Sequence, residues 1–233
     1  EPTWHGMIQR VETPTPNRHN CSGKHTGMLA QAKMRSLDYE NYLDFDHPVQ
    51  KTILNVFAEM CDMDPEDIDL GVDGCSAPVF SVPLYNAAFG YARLVDPGRL
   101  PPQRAAACQV ITGAMTSHPE MVAGPGRFDT LLMKAAAGKI LSKGGAEGYL
   151  GIGVMPGVIE NDSRGLGIAI KISDGDLAGR AAPIVALEVL RQLEVLDRAW
   201  LEELKQFYIR PVLNWRKMEI GEIHPVLKLV HYG

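Results

Sequence analysis

The order of apolar and polar residues predicts a chain that is helical first and β-rich later. The segment after Asp46, a good N-cap, carries Pro48 in its first turn and then apolar residues spaced three or four positions apart. That spacing predicts a helix starting after Asp46. Comparable patterns predict further helices over 26–36, 83–95, 101–116, 128–137 and 181–196.

After Gly138 the pattern changes to short apolar runs joined by glycine-rich turns. Such runs are typical of strands, predicted here over 139–143, 148–154 and 166–172, with an earlier short strand over 68–72. Residues 1–19 and 118–124 have loop composition, and 226–231 reads as an extended tail. Helices, then an antiparallel sheet, then a packing helix predict an α+β fold in a single domain over 1–233.

Composition and charge exclude some classes of protein. Hydrophobic residues make up 45% and charged residues 22% of the 233 residues, as in ordinary globular chains. The net charge is −5 and the basic residues are dispersed, so we expect no nucleic-acid partner. No apolar run reaches the roughly 18 residues of a membrane span, so we expect no membrane association.

The four cysteines fall into two pairs by context. Cys61 and Cys108 lie in helical patterns and are expected to be buried, whereas Cys21 and Cys75 lie in turns next to glycine. So few cysteines in a chain of this size do not form a disulfide scaffold. We therefore expect a reducing, cytoplasmic location.

The densest chemistry lies at 21–25, where Cys21, Ser22, Lys24 and His25 precede an apolar helical segment. Two thiolates, Cys21 and Cys75, with one nitrogen from Lys24 have the donor types of an open zinc-like site. Lysine is a rare ligand because its amine must first lose a proton. By spacing alone, two unrelated turn cysteines remain the simpler interpretation.

A nucleophile is harder to assign from these residues. Ser22 and Lys24 are one residue short of the Ser-x-x-Lys spacing that places both side chains on one helix face, and no serine in the chain is followed by lysine three positions later. A thiol mechanism would use Cys21, helped by His25 or Lys24. That role conflicts with metal ligation by the same thiolate.

Two further groups could serve a substrate. Asp73 is a carboxylate suited to a substrate amine, and Lys143 stands at a strand end before Gly144 and a glycine-rich turn that contains Glu147. The lysine strand resembles the Lys-Thr/Ser-Gly strand of penicillin-recognising serine enzymes. A surface lysine before a hairpin turn is the commoner meaning of the same pattern. His25 suits a base, a hydrogen-bond donor or a purely structural histidine.

Taken together and in order, five segments resemble the asparaginase II family, the thermolabile type first described in rhizobia. They are 19–25, 72–78, 118–124, 127–130 and 143–148. The resemblance implies a fold similar to serine β-lactamases and glutaminases, with an antiparallel sheet packed by helices. It also implies hydrolysis of L-asparagine to L-aspartate and ammonia, and a homodimer.

The resemblance further implies roles for individual residues. Zinc would be held by Cys21, Lys24 and Cys75, close to the substrate pocket. The catalytic set would be Lys143, Asp73 and Lys24, and the substrate-binding wall would be formed by His25, Ser22, Gly144 and Glu147.

The sequence departs from the family pattern in one respect, which concerns the nucleophile. The family has an upstream Ser-x-x-Lys and a Ser-His-Ser-Gly-like loop, and neither occurs in these residues. The chain is therefore expected to correspond to the C-terminal two-thirds of such an enzyme, with the nucleophilic serine outside it. The alternative is a non-catalytic fragment or short paralogue that binds a metal or an amino acid.

Overall fold

The computed structural model describes residues 2–160, 163–177, 179–196 and 198–232. Within them, runs of helices are followed by runs of antiparallel strands, so the α+β prediction is confirmed. No helix among the described residues is both long and apolar enough to cross a membrane.

The chain divides into two compact units, each with its own core. The first comprises Glu1–Ala58 and Asp64–Ser81, and the second comprises Glu59–Met63 and Val82–Gly233. The single-domain assignment stays a prediction.

The first unit consists of helices and one β-hairpin. Its elements are α1 (Pro2–Gln9), α2 (Ser22–Met34), the greater part of α3 (Pro48–Cys61), β1 (Asp69–Val72) and β2 (Pro78–Ser81). A small core joins α2 and α3 to the hairpin loop through Met28, Ala32, Val49 and Ala77. The two halves of this unit, far apart in sequence, are thereby held together by apolar contacts.

The start of α3 shows how local chemistry sets a helix boundary. The helix begins at Pro48 as predicted, but the cap is His47 rather than Asp46. The His47 Nδ1 accepts the Val49 N–H at 3.2 Å, and its ring is buried. Asp46 instead forms an exposed ion pair with Lys51 at 3.0 Å.

The second unit contains a three-stranded antiparallel sheet surrounded by helices. The helices are α4 (Leu84–Val95), α5 (Pro102–Ser117), α6 (Pro119–Ala123), α7 (Phe128–Ala135), α8 (Ala182–Gln192) and α9 (Arg198–Leu204). The sheet has the order β3 (Ile140–Gly144), β4 (Tyr149–Val154), β5 (Leu166–Lys171). A separate hairpin pairs β6 (Arg210–Leu213) with β7 (Glu219–Ile223).

The main core of the protein lies in this second unit. Fully buried residues from the sheet, such as Ile152 and Val154, pack with Leu187 and Leu190 of α8 and with Leu132 of α7. This is the layer arrangement expected when an amphipathic helix covers an antiparallel sheet.

Two sequence expectations were wrong, and one element was missed. Residues 2–9 form helix α1, because no proline follows Pro2 until Pro14 and a proline in the first turn is compatible with a helix. Residues 119–123 form the short helix α6, again opened by a proline. The tail contains the β6–β7 hairpin, whose strands are interrupted by Pro211 and Gly221 and so lack a clear pattern.

Candidate functional site

Cys21 and Lys24 are positioned by the first turn of α2. The helix starts at Ser22, four residues before the predicted start, with Cys21 as the N-cap residue. The Cys21 carbonyl accepts the His25 N–H at 3.1 Å, and the Cys21 N–H donates to His19 Nδ1 at 3.1 Å. Helical geometry then places Lys24 on the same side as Cys21, since residues three apart are neighbours.

Asp73 and Cys75 are presented by the loop that joins β1 to β2. The Asp73 N–H donates to Ala77 O and the Ser76 N–H donates to Asp73 O, both at 2.8 Å. Ser76 adopts a left-handed conformation with φ of 71°, which closes the loop. The Asp73 Oδ1 also accepts the Gly74 N–H at 2.7 Å, fixing the carboxylate.

The two elements bring four functional groups together. Lys24 Nζ donates to Asp73 Oδ2 at 2.6 Å, and Cys75 Sγ lies 3.5 Å from the same oxygen. One donor atom each of Cys21, Asp73 and Cys75 lie within 4.8 Å of one another. The prediction that Cys21 and Cys75 meet, rather than occupying unrelated turns, agrees with this geometry. We call Cys21, Lys24, Asp73 and Cys75 the thiol–carboxylate cluster.

Charge distribution in this cluster follows from its hydrogen bonds. The hydrogen bond from Lys24 lowers the pKa of the Asp73 carboxyl. Partial burial works against the Lys24 ammonium, but the bonds to Asp73 and Cys75 outweigh it and raise the pKa of Lys24. Burial raises the pKa of Cys21, with Cys75 contributing. Without a metal, therefore, the arrangement is an ammonium–carboxylate pair beside a thiol.

The donor set fits a metal ion such as Zn²⁺, which takes thiolate and carboxylate ligands within a small tetrahedral shell. Donor atoms within 4.8 Å of one another are close enough to share one ion. The structure adds Asp73 to the two thiols, whereas the sequence pointed to Lys24 as the third ligand. Lys24 would have to lose both its proton and its ion pair before it could donate. In the sequence, the position of Asp73 two residues before Cys75 could have indicated that Asp73 is a ligand as well.

A groove of about 480 Å³ opens beside Lys24 within the first unit. Its other lining residues come from α2, α3 and the β2 strand and are mainly apolar: Gly27, Met28, Gln31, Ile53, Phe57, Pro78, Val79 and Phe80. This volume falls in the range of small-molecule sites. Lys24 is the side chain common to the groove and the cluster, so a ligand in the groove would contact the cluster through its ammonium.

His25 and Ser22 lie on α2 but are not members of the thiol–carboxylate cluster. The His25 Nδ1 and the Tyr42 hydroxyl are 2.6 Å apart, with the two rings edge to face. The Ser22 carbonyl accepts the Thr26 hydroxyl at 2.8 Å. Tyr42 was missed because nothing in its local sequence indicates a partner 17 positions away.

The remaining predicted residues, Lys143, Gly144 and Glu147, lie together in the second unit, at the end of β3 and in the following turn. Lys143 is exposed, and its ammonium donates to the Gly144 carbonyl. Glu147 holds a positive φ of 55° in the turn. The cluster, by contrast, belongs to the first unit.

Asp129 supports this strand end and was not assigned a role from sequence. Its Oδ2 accepts the Gly144 N–H at 2.9 Å, and its Oδ1 accepts the hydroxyl of the fully buried Ser142 at 2.5 Å. Ser142 and Gly144 are the two neighbours of Lys143 in the chain, so Asp129 holds strand β3 on either side of the lysine. The carboxylate is buried, and its two hydrogen bonds offset the cost of burying it.

Comparison with known protein families identifies a family for this chain. The sequence model described as L-asparaginase II matches residues 1–225. No curated protein matches the chain.

Proposed function

The chain belongs to the L-asparaginase II family, and from this premise we propose that it is an amidohydrolase that converts L-asparagine to L-aspartate and ammonia. The proposal rests on the match of the family's sequence model to residues 1–225 of this chain. A charged cluster beside a groove of suitable volume supports it. Hydrolysis adds water across the side-chain amide and breaks its C–N bond.

We propose that the Lys24–Asp73 pair recognises the backbone groups of the amino acid. An ammonium and a carboxylate 2.6 Å apart complement the α-carboxylate and α-ammonium of a free amino acid. Both side chains are about one-third exposed, so a ligand can reach them. Ser22, His25, Gly144 and Glu147 are each proposed as substrate-binding residues.

Lys143 is proposed as the proton-transferring amine of the reaction. An amine must be neutral to accept a proton, and it can return that proton to the departing ammonia. The support from Asp129 on both sides of Lys143 is consistent with a role that needs a fixed position. The nucleophile is not assigned to a residue of this chain.

We further propose zinc as a resident ion, held by Cys21 and Cys75 with Lys24 or Asp73. When bound, zinc would supply a Lewis acid close to the groove. It would also join α2 to the β1–β2 loop, because its ligands come from both.

The fold, location and oligomeric state that the family implies are proposed on the same premise. The antiparallel β3–β4–β5 sheet covered by α8 supports a serine β-lactamase-like fold. Cys21, Cys61, Cys75 and Cys108 are all free thiols, which suits a cytoplasmic location. A homodimer is likewise proposed.

The proposed function is tested by ammonia release from L-asparagine, with L-glutamine as the competing substrate. We expect turnover with asparagine, and we expect Asp73→Asn to raise KM by about tenfold or more, since a charged hydrogen bond to the substrate is lost. Asp64→Asn, in an exposed turn, is the matched control and leaves KM unchanged. Absence of turnover above background by the wild-type protein would refute the proposal.

The thiol–carboxylate cluster favours one second candidate, a protein that binds a metal or an amino acid without catalysis. Isothermal titration separates the two candidates. Binding of zinc or asparagine without any ammonia release supports the second, and release supports the first.

A further inference from the structure

The imidazole of His25 is held at one of its two ring nitrogens. Nδ1 and the Tyr42 hydroxyl are 2.6 Å apart, and the two rings meet edge to face, at 85° and with centroids 5.8 Å apart. Nε2 has no hydrogen-bond partner among the residues that the structure describes. One nitrogen is therefore fixed by the protein, and the other is left for a ligand or for solvent.

Tyr42 is itself held in place by the first unit. Gln50 of α3, only 2% exposed, donates from its side-chain amide to the Tyr42 carbonyl at 2.7 Å. The Tyr42 side chain also packs against the small core that joins α2 and α3 to the hairpin loop. The position of the hydroxyl is thus set by α3 and by packing, and does not depend on the contact with His25 alone.

The donors and acceptors at this contact assign the proton of the neutral imidazole. Such a ring has one N–H donor and one acceptor nitrogen, whereas a phenol hydroxyl can both donate and accept. If Nδ1 donated to Tyr42, the phenol proton would have no acceptor in the described part of the chain. If the phenol donates to Nδ1 instead, no half-buried donor is left unpaired at this contact, which is the arrangement of lower free energy. The ring proton then lies on Nε2.

This tautomer decides between two roles for His25. A general base needs an unprotonated nitrogen directed at the substrate, and here the unprotonated nitrogen is occupied by Tyr42. The free nitrogen carries a proton and is a hydrogen-bond donor. Its partner would be an oxygen of the ligand, such as a carboxylate or a carbonyl.

His25 lies next to the thiol–carboxylate cluster. It is one helical turn after Cys21 in α2, so the two side chains are neighbours on the helix surface, and it directly follows Lys24. Its ring is half-buried and so remains accessible. A ligand bound at the cluster would therefore meet an N–H donor on the same turn of α2.

We propose that Tyr42 is a positioning residue that fixes His25 as the Nε2–H tautomer, and that His25 is a hydrogen-bond donor to a ligand oxygen and not a base. The identity of the ligand as an amino acid rests on the proposed function. The tautomer does not, and it can be measured without substrate.

The first test is long-range ¹H–¹⁵N NMR of the protein labelled with ¹⁵N-histidine. For the neutral His25 ring, assigned by its absence in His25→Gln, we expect a protonated Nε2 and an unprotonated Nδ1. Tyr42→Phe removes only the hydroxyl and should replace this tautomer by an average of the two. Tyr39→Phe, at a tyrosine that is 59% exposed, is the matched control and leaves the spectrum unchanged. A proton on Nδ1 in the wild-type protein, or a tautomer indifferent to Tyr42→Phe, overturns the assignment.

The second test compares two substitutions of His25 by steady-state kinetics with L-asparagine. A glutamine amide can donate from about the position of Nε2 but cannot take up a proton. We expect His25→Gln to keep kcat and KM within about threefold of the wild-type values, and His25→Ala to raise KM by about tenfold or more. A loss of kcat by about a hundredfold in His25→Gln indicates a base, and an unchanged KM in His25→Ala indicates no contact. Either result overturns the donor role.

Failure of the proposed function is distinguishable from failure of this inference. If the wild-type protein releases no ammonia, the Kd of L-aspartate measured by calorimetry takes the place of KM in the same comparison. A weaker Kd in His25→Ala than in His25→Gln supports the donor role. Equal Kd values, or no binding by the wild-type protein, contradict it, whatever the NMR spectrum shows about the tautomer.

Discussion

Asp73 connects the residues on which the proposed chemistry depends. It accepts hydrogen bonds from Lys24 and from the Gly74 N–H, and it lies within reach of Cys75. Its carboxylate therefore ties α2 to the β1–β2 loop even without an ion. A metal ion bound by Asp73 would compete with the Lys24 ammonium for the same carboxylate oxygens. It would therefore either displace Lys24 or bind the oxygen that Lys24 leaves free.

Zinc content gives the first residue-level prediction. The protein, purified without chelator, should contain about one equivalent of zinc, and Cys75→Ala should lose it because a thiolate ligand is removed. The measurement is elemental analysis by plasma mass spectrometry. Cys108→Ala, a thiol in α5 outside the cluster, serves as the control and should retain the metal. Equal zinc in the two variants would exclude the thiol–carboxylate cluster as the site.

Glu188 is a second residue whose environment is set by packing. This buried carboxylate on α8 accepts hydrogen bonds from Arg191, Gln192 and Tyr208 at 2.6 to 2.8 Å. The bonds from Arg191 are the largest contribution, and they lower the pKa of Glu188 to about 2 from its usual 4.5. Ionised Glu188 is therefore favoured by the folded state.

The pH dependence of stability follows from this lowered pKa. The contribution of Glu188 is fully present above about pH 4.5 and is lost as pH falls through about 2. Glu188→Gln should reduce the free energy of unfolding by on the order of 2 kcal/mol at pH 7 and by much less at about pH 2. Urea unfolding at both pH values measures this. Glu66→Gln, exposed in a turn, should show no such difference.

At the scale of elements, the contact between α4 and β5 decides how the sheet is covered. A Cβ added at Gly167 of β5 would lie 1.7 Å from the Ala88 carbonyl oxygen of α4. Helix and strand backbones are thus in direct contact, which only glycine permits. The same glycine weakens the strand pattern in the sequence, although the strand was predicted correctly.

Gly167→Ala tests that close approach. The added methyl group must move α4 away from the sheet, so we expect a loss of at least about 3 kcal/mol in the free energy of unfolding. Thermal unfolding followed by circular dichroism is the measurement. Gly113→Ala in α5 is the matched control, since its Cβ would meet nothing within 4 Å. It should stabilise the helix by about 0.5–1 kcal/mol, and equal effects in the two variants would disprove the contact.

At the scale of the whole molecule, apolar burial is distributed unevenly between the two units. The core of the first unit contains four buried residues, whereas that of the second contains fourteen among the described residues. Since apolar burial is the main favourable contribution to folding, the second unit should dominate the stability of the protein.

This asymmetry predicts the effect of core substitutions. Leu190→Ala, at a fully buried site of α8, should cost about 2–5 kcal/mol, and Leu177→Ala, at an exposed site, should cost less than about 0.5 kcal/mol. Calorimetry measures both variants. In hydrogen exchange, β4 and α8 should be protected longest and α2 should exchange faster. Slowest exchange in α2 would contradict the uneven distribution.

The sequence by itself determined most helices and the central strands, because their apolar periodicity and proline boundaries are local properties. For Cys21, Lys24 and Cys75 the spacing alone left two unrelated turn cysteines as the simpler interpretation, and only the family resemblance implied a shared site. Only the tertiary structure showed one donor atom each of Cys21, Asp73 and Cys75 within 4.8 Å of one another, and Asp129 bonded on both sides of Lys143. These arrangements join residues that are not neighbours in the chain, and so they are decided by the free energy of the whole fold rather than by any local pattern.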